Sequence, residues 1–148
     1  MSKYDLVYEI KGLVPRTVVI ALEEELSITE DIDSEVDKAA ARFGYYAVLA
    51  EKAGARFEKL KLSFNFWEAD SKCRKDERLA FDTEKKLTEG QMKSYIMSQP
   101  KYKTYQLKMI ELREQSNIMK VIARAFEKKS DLVQTKAANR RKEAGRSK

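Results

Sequence analysis

Residues 39–67 read AAARFGYYAVLAEKAGARFEKLKLSFNFW. Within them Ala39, Phe43, Tyr46, Ala50, Ala53, Phe57, Leu60, Phe64 and Trp67 recur in alternating steps of four and three. That spacing lays the side chains along one narrow face, the pattern of a helix packed along another helix. Gly44 and Gly54 fall off the seam, where a helix tolerates them.

On the N-terminal side, Asp33 and Ser34 offer an N-cap, with Asp37 three residues after Ser34 in the manner of a capping box. On the other side the seam positions become Ser71, Arg74 and Arg78, so the stripe turns polar although the helix can continue. From Ser34 to Arg78 such a helix is about 65 Å long. Residues 79–87 have no clear period and predict a turn. Thr88 with Gln91 forms a second capping-box signal, which starts a helix running to about Met97. Pro100 suits the first turn of a further long helix. Its seam runs Tyr105, Met109, Leu112, Ser116, Met119, Ala123, Phe126, Ser130, Val133 and Ala137.

Two long seamed helices with a short connection predict an all-α fold built on a long antiparallel hairpin with a short connecting helix. Tyr45, Leu49, Phe66, Ile110 and Ile122 lie off the narrow seams and are expected to widen them. A two-helix hairpin leaves apolar surface uncovered, so further copies of the chain are expected to cover it in a ring-like homo-oligomer. Residues 3–20 are rich in Val, Ile and Tyr and are broken by Gly12 and Pro15. They suit one short strand, or an extended arm docking on a neighbour. A short helix is expected from Thr17 to Leu26. The chain thus divides into an N-terminal extension, 1–19, and a helical domain with a basic tail, 20–148.

The 148 residues leave room for one ordinary domain, and 43% apolar content suffices for a packed core. Five glycines and two prolines are too few for an all-β fold. No apolar run approaches the roughly 18 residues of a membrane span, and no signal-peptide pattern opens the chain. Cys73 is the single cysteine, which excludes a disulfide framework and fits a reducing compartment. The expected location is cytoplasmic, in the host cell if a phage encodes the chain.

The sequence contains no histidine, so the commonest general base and metal ligand are both missing. No glycine-rich phosphate loop, nucleophile elbow or zinc-binding cysteine pair appears. Cys73 lies between Lys72 and Arg74, which favours its thiolate, but it has no histidine to pair with. No catalytic residue, metal or cofactor is therefore expected, and the chain is read as a binding protein rather than an enzyme.

Net charge is +6, distributed unevenly: residues 1–35 carry three basic side chains against nine acidic ones. A basic body behind an acidic leader suits a polyanionic partner. It also fits a helical protein with a solvated lysine-rich surface. One cluster gathers Lys72, Arg74, Lys75, Arg78, Lys85, Lys86, Lys93, Lys101 and Lys103, interleaved with acids such as Asp70, Asp76 and Glu89. The second is the tail, with Lys128, Lys129, Lys136, Arg140, Arg141, Lys142, Arg146 and Lys148. Lysine and arginine neutralise phosphates irrespective of base sequence, and single strands add stacking on aromatics. Trp67, where the apolar seam meets the first cluster, is the candidate for stacking, although core packing explains its position equally well. No helix-turn-helix signal or RNA-binding sheet motif points to a duplex or RNA reader.

The order of features resembles the UvsY-type recombination mediators of T-even phages. It runs from Ile20-Ala-Leu-Glu-Glu-Glu-Leu26 through Ile32-Asp33-Ser34 to the basic, aromatic region of Phe64 to Arg78. It resumes at Lys86-Leu-Thr88-Glu89-Gly-Gln-Met92-Lys93 and closes on Ala137-Ala-Asn-Arg140-Arg141-Lys-Glu143. Residues 1–19 have no counterpart, and the first cluster holds more acid than a dedicated strand-binding loop. The resemblance implies a ring that binds single-stranded DNA and helps a RecA-like recombinase displace a single-strand-binding protein. It assigns phosphate contact to Lys72, Arg74, Lys75, Arg78, Lys85, Lys86 and Lys93, and then to Lys136, Arg140, Arg141 and Lys142. The alternative is a structural coiled-coil or adaptor protein of a phage with no nucleic-acid role, which explains the seams equally well.

Overall fold

The computed structural model describes residues 5–10, 16–82 and 86–146. Two long helices dominate it: α2 (Ile32–Asp82, 51 residues) and α4 (Pro100–Arg146, 47 residues), separated by the short α3 (Glu89–Ser98). The two pack against each other, and the fold is all-α apart from an N-terminal hairpin. That hairpin pairs β1 (Asp5–Ile10) antiparallel with β2 (Arg16–Ala21), and the one-turn α1 (Leu22–Leu26) follows.

The hairpin overturns two expectations. There are two strands rather than one, and residues 17–21 are strand rather than the start of a helix. Val18, Val19 and Ile20 are β-branched in succession, which favours a pleated strand. Val7 lies opposite Val19 across the ladder with both side chains exposed, while Ile20 points inward and is fully buried. Residues 1–4 and 11–15, with Gly12 and Pro15, lie outside the described residues, as does Lys148.

Helix α2 also begins earlier than Ser34. The Asp31 carboxylate accepts the Ser34 N–H at 3.2 Å, and the Asp31 carbonyl accepts the Glu35 N–H at 3.1 Å. Asp31 is therefore the capping residue, and Asp33 and Ser34 lie inside the first turn. At the other end α2 runs four residues past Arg78, since the loss of an apolar seam removes packing but not backbone hydrogen bonds. Thr88 caps α3 as the sequence indicates. Its hydroxyl accepts the Gln91 N–H at 3.3 Å, and the Gln91 side chain accepts the Thr88 N–H at 3.0 Å. Thr88→Ala is expected to cost about 1 kcal/mol, read as a lower urea midpoint at unchanged slope.

The chain forms two compact units, residues 1–46 with 121–148, and residues 47–120. In the first, the ring of Phe126, fully buried, stacks on Tyr46 with centroids 4.3 Å apart. Ile32, Val133 and Ala137 form a small core on which Ile28 and Val36 pack. Low numbers on α2 thus meet high numbers on α4, the antiparallel order that two seamed helices with a short connection predict. The end of α1 is tied down by cations: the Glu25 carbonyl accepts from Lys129 Nζ at 2.7 Å and from Arg42 Nη1 at 3.3 Å. The last carbonyls of a helix lack intrahelical partners and form the negative end of its dipole, so cations belong there. The Tyr46 hydroxyl donates to the Glu25 carboxylate at 2.6 Å. Burial, and then this bond, push the phenol well above its ordinary pKa.

In the second unit, Ala50, Ala53, Met92, Ile96, Met109, Ser116 and Met119 are buried. Phe64 packs within 6 Å of Trp67, Tyr102 and Tyr105, and the Arg113 guanidinium lies over Phe57 at 5.3 Å. Gly54 faces Ser116: a Cβ built on it would lie 3.7 Å from the hydroxyl. Small residues at that point let the two helices approach closely.

Three residues expected to widen the seams do otherwise. Tyr45, Phe66 and Ile110 are exposed, whereas Leu49 and Ile122 are buried. A helix turns about 100° per residue, so a residue two positions from a seam residue lies on the far face. Each long helix therefore carries an uncovered apolar face as well as its seam.

Candidate nucleic-acid interface

The described members of the first basic cluster lie in the 47–120 unit, on the last turns of α2, just before and on α3, and, for Lys101 and Lys103, on the first turn of α4. Lys72, Lys86 and Lys93 line one cleft, floored by Leu87 and Met92, whose walls also carry Glu68, Asp76 and Glu89. Three of the cations are engaged inside the fold. Lys72 Nζ lies 2.8 Å from Glu68, Arg74 Nε lies 3.1 Å from Asp70, and Lys75 Nζ stands 4.8 Å above the Tyr95 ring. The two ion pairs are spaced four residues apart on exposed helix surface, where each contributes only about 0.3–0.5 kcal/mol. A phosphate can exchange with either acid at little cost. Arg78, Lys86 and Lys93 are exposed, and none forms an ion pair with a described carboxylate. Lys85 lies outside the described residues.

Trp67 is partly buried. Its ring lies 5.5 Å from Tyr105 and 5.7 Å from Phe64, so the aromatic cluster of the helix pair holds it. This packing accounts for the tryptophan without a base. Tyr95, on α3, is an aromatic that meets a cation of the cluster, and no periodicity along α2 links it to Lys75.

The second cluster lies in the other unit, on the last turns of α4. Lys136, Arg140, Arg141 and Lys142 are all exposed. Lys136 and Arg140 line a groove with Thr29, Glu30, Asn139 and Glu143. Lys129 does not belong with them. Its side chain is only 3% exposed and its ammonium sits 2.9 Å from Glu35, itself buried. The Lys129 bond and charge hold the Glu35 carboxyl below its ordinary range against the opposing effect of burial. The signal in the sequence is its position, three residues after Phe126 and four before Val133, both fully buried.

Cys73 is exposed, and among the described residues no group of three His, Cys, Asp or Glu is placed to hold a metal ion. No helix of the described residues is long and apolar enough to cross a membrane. No protein-family model, curated protein or solved structure matches the chain.

Proposed function

We propose that the chain is a single-stranded DNA-binding recombination mediator that works as a ring-like homo-oligomer without chemistry of its own. It would load a RecA-like recombinase onto DNA covered by single-strand-binding protein, the role carried by the UvsY-type proteins it resembles. The observation that supports this most is the placement of Arg78, Lys86, Lys93, Lys136, Arg140, Arg141 and Lys142. All face solvent, and none is in an ion pair with a described carboxylate. Each offers a phosphate a weak, sequence-independent contact whose strength comes from counterion release. Repeated around an oligomer, such contacts grip one strand by avidity and leave it free to be handed on.

The test is a fluorescent poly-dT strand titrated with the protein at about 50 and 500 mM salt, where a contact of this kind binds at the lower and releases at the higher. For the double variant Lys86→Glu, Lys93→Glu, the slope of log affinity against log salt is expected to fall by roughly 0.7 for each phosphate left without its cation. Light scattering on the same samples gives the assembly size. Failure to bind the strand at either salt would turn the function to a coiled-coil adaptor. The pairing of Lys72 and Arg74 with neighbouring acids favours that alternative.

A further inference from the structure

Within the 47–120 unit, the face of α2 turned away from its seam carries Val48, Ala55 and Leu62, all exposed. They are seven residues apart, so a slightly supercoiled helix aligns them in one straight row. The outer face of α4 in the same unit has no such row: seven residues after the exposed Leu107 comes Glu114. A row at a strict seven-residue period matches another helix, and the residues beside it say which one.

Glu51 and Glu58 border the row on one side, and Lys52 and Lys59 on the other. All four are exposed. When two copies of this face meet in parallel and in register, the acidic border of each helix lies against the basic border of the other. Glu51 then faces Lys52 of the second copy, and Glu58 faces its Lys59. An antiparallel meeting sets acid against acid and lysine against lysine, so the charges select the parallel one. Ala55 at the centre lets the two backbones approach. The acids are available for this. Glu51 is in no ion pair with a described residue, and Glu58 has only a 3.9 Å contact with exposed Lys61. Both also border a groove that Arg113 and Lys120 line from α4, without an ion pair to either.

We propose that a second copy of this chain covers the row, as a parallel, two-fold pair of α2 helices in register at Val48, Ala55 and Leu62. The pairing is isologous, so it closes at two copies and is separate from the contact that would build a ring, and it does not depend on DNA. Single cysteines at Val48→Cys and Leu62→Cys, each made with Cys73→Ser, test it under mild oxidation of the full-length chain. Each variant alone is expected to give a product of twice the chain mass on a denaturing gel, since like positions face each other. Both sites are exposed, so the fold survives either change, and unchanged circular dichroism checks this. Linkage only when the two variants are mixed would mean an antiparallel contact. No linkage in either experiment would mean that this face meets no second copy. Both results would overturn the proposal. Lys52→Glu with Lys59→Glu should abolish the linkage, and adding Glu51→Lys and Glu58→Lys should restore it. A double variant that still links fully would show that charge does not select the pairing.

Discussion

Replacing Lys129 with methionine should destabilise the 1–46 and 121–148 unit by about 3–5 kcal/mol, as expected when one partner of a buried ion pair is removed. The ammonium lies 2.9 Å from Glu35 and 2.7 Å from the Glu25 carbonyl, in a site from which water is nearly excluded. Methionine fills the space of the stem but leaves a buried carboxylate with only the Thr29 hydroxyl, 3.3 Å away, and the charge of Lys38 to offset its burial. The pH dependence then weakens. In the native chain the Glu35 carboxyl titrates below its ordinary range. Its contribution is complete above the unfolded value of about 4.3 and is lost as pH falls through the folded one. In the variant the Lys129 bond and charge no longer oppose burial, so the carboxyl moves up from its native position and the deficit shrinks in acid. Urea unfolding of both proteins at neutral pH and near pH 4 measures the difference. Adding Glu35→Leu should recover most of the loss, because an apolar pair in place of an ion pair is often neutral. A single variant as stable as the native chain, with the same pH profile, would contradict the buried pair.

The second large effect is expected at Phe126, whose truncation to alanine should cost about 3–5 kcal/mol. Its ring is fully buried and stacked on Tyr46, so truncation strips apolar packing, leaves a cavity between α2 and α4, and removes the aromatic pair. Phe66 provides the control. It is a phenylalanine on a long helix too, but 67% exposed, and Phe66→Ala should change stability by no more than about 0.5 kcal/mol. Thermal unfolding of the two variants side by side separates them. Equal destabilisation would mean that Phe66 is covered in the protein as it exists in solution.

Both expectations concern residues whose setting the sequence reveals unevenly. The seams were legible because a helix pair repeats its contacts every three and four residues. Tyr46 and Phe126 could be assigned to the interior from spacing alone, and Thr88 from the local chemistry of a cap. Phe66 and Leu49 both stand off the packing line, but Leu49 comes three residues after Tyr46 and flanks the seam, whereas Phe66 comes two after Phe64 and faces away, so one is buried and the other exposed. What lay across the seams was less visible. The strand at residues 16–21 escaped because its partner is a segment of the leader, and a pairing between segments has no signature within either. Lys129 has a positional signal, three residues after Phe126, but it stands among the surface charges Lys128 and Lys136, and its partners, Glu35 and the Glu25 carbonyl, are distant in sequence. For the basic clusters, residue type and order were readable, but the engagement of Lys72, Arg74 and Lys75 by Glu68, Asp70 and Tyr95 was not.

Lys129 also makes the chain its own reporter. An amine acylates only where reagent can reach it, and the Lys129 side chain, 3% exposed between a carboxylate and a carbonyl, is out of reach. The exposed lysines around it, such as Lys128 and Lys136, should acquire label at rates set by the reagent alone. Lys129 must wait for the end of α1 and the first turns of α2 to come away from α4. Its labelling rate therefore clocks the opening of that end of the molecule, a motion that a bulk unfolding curve averages away.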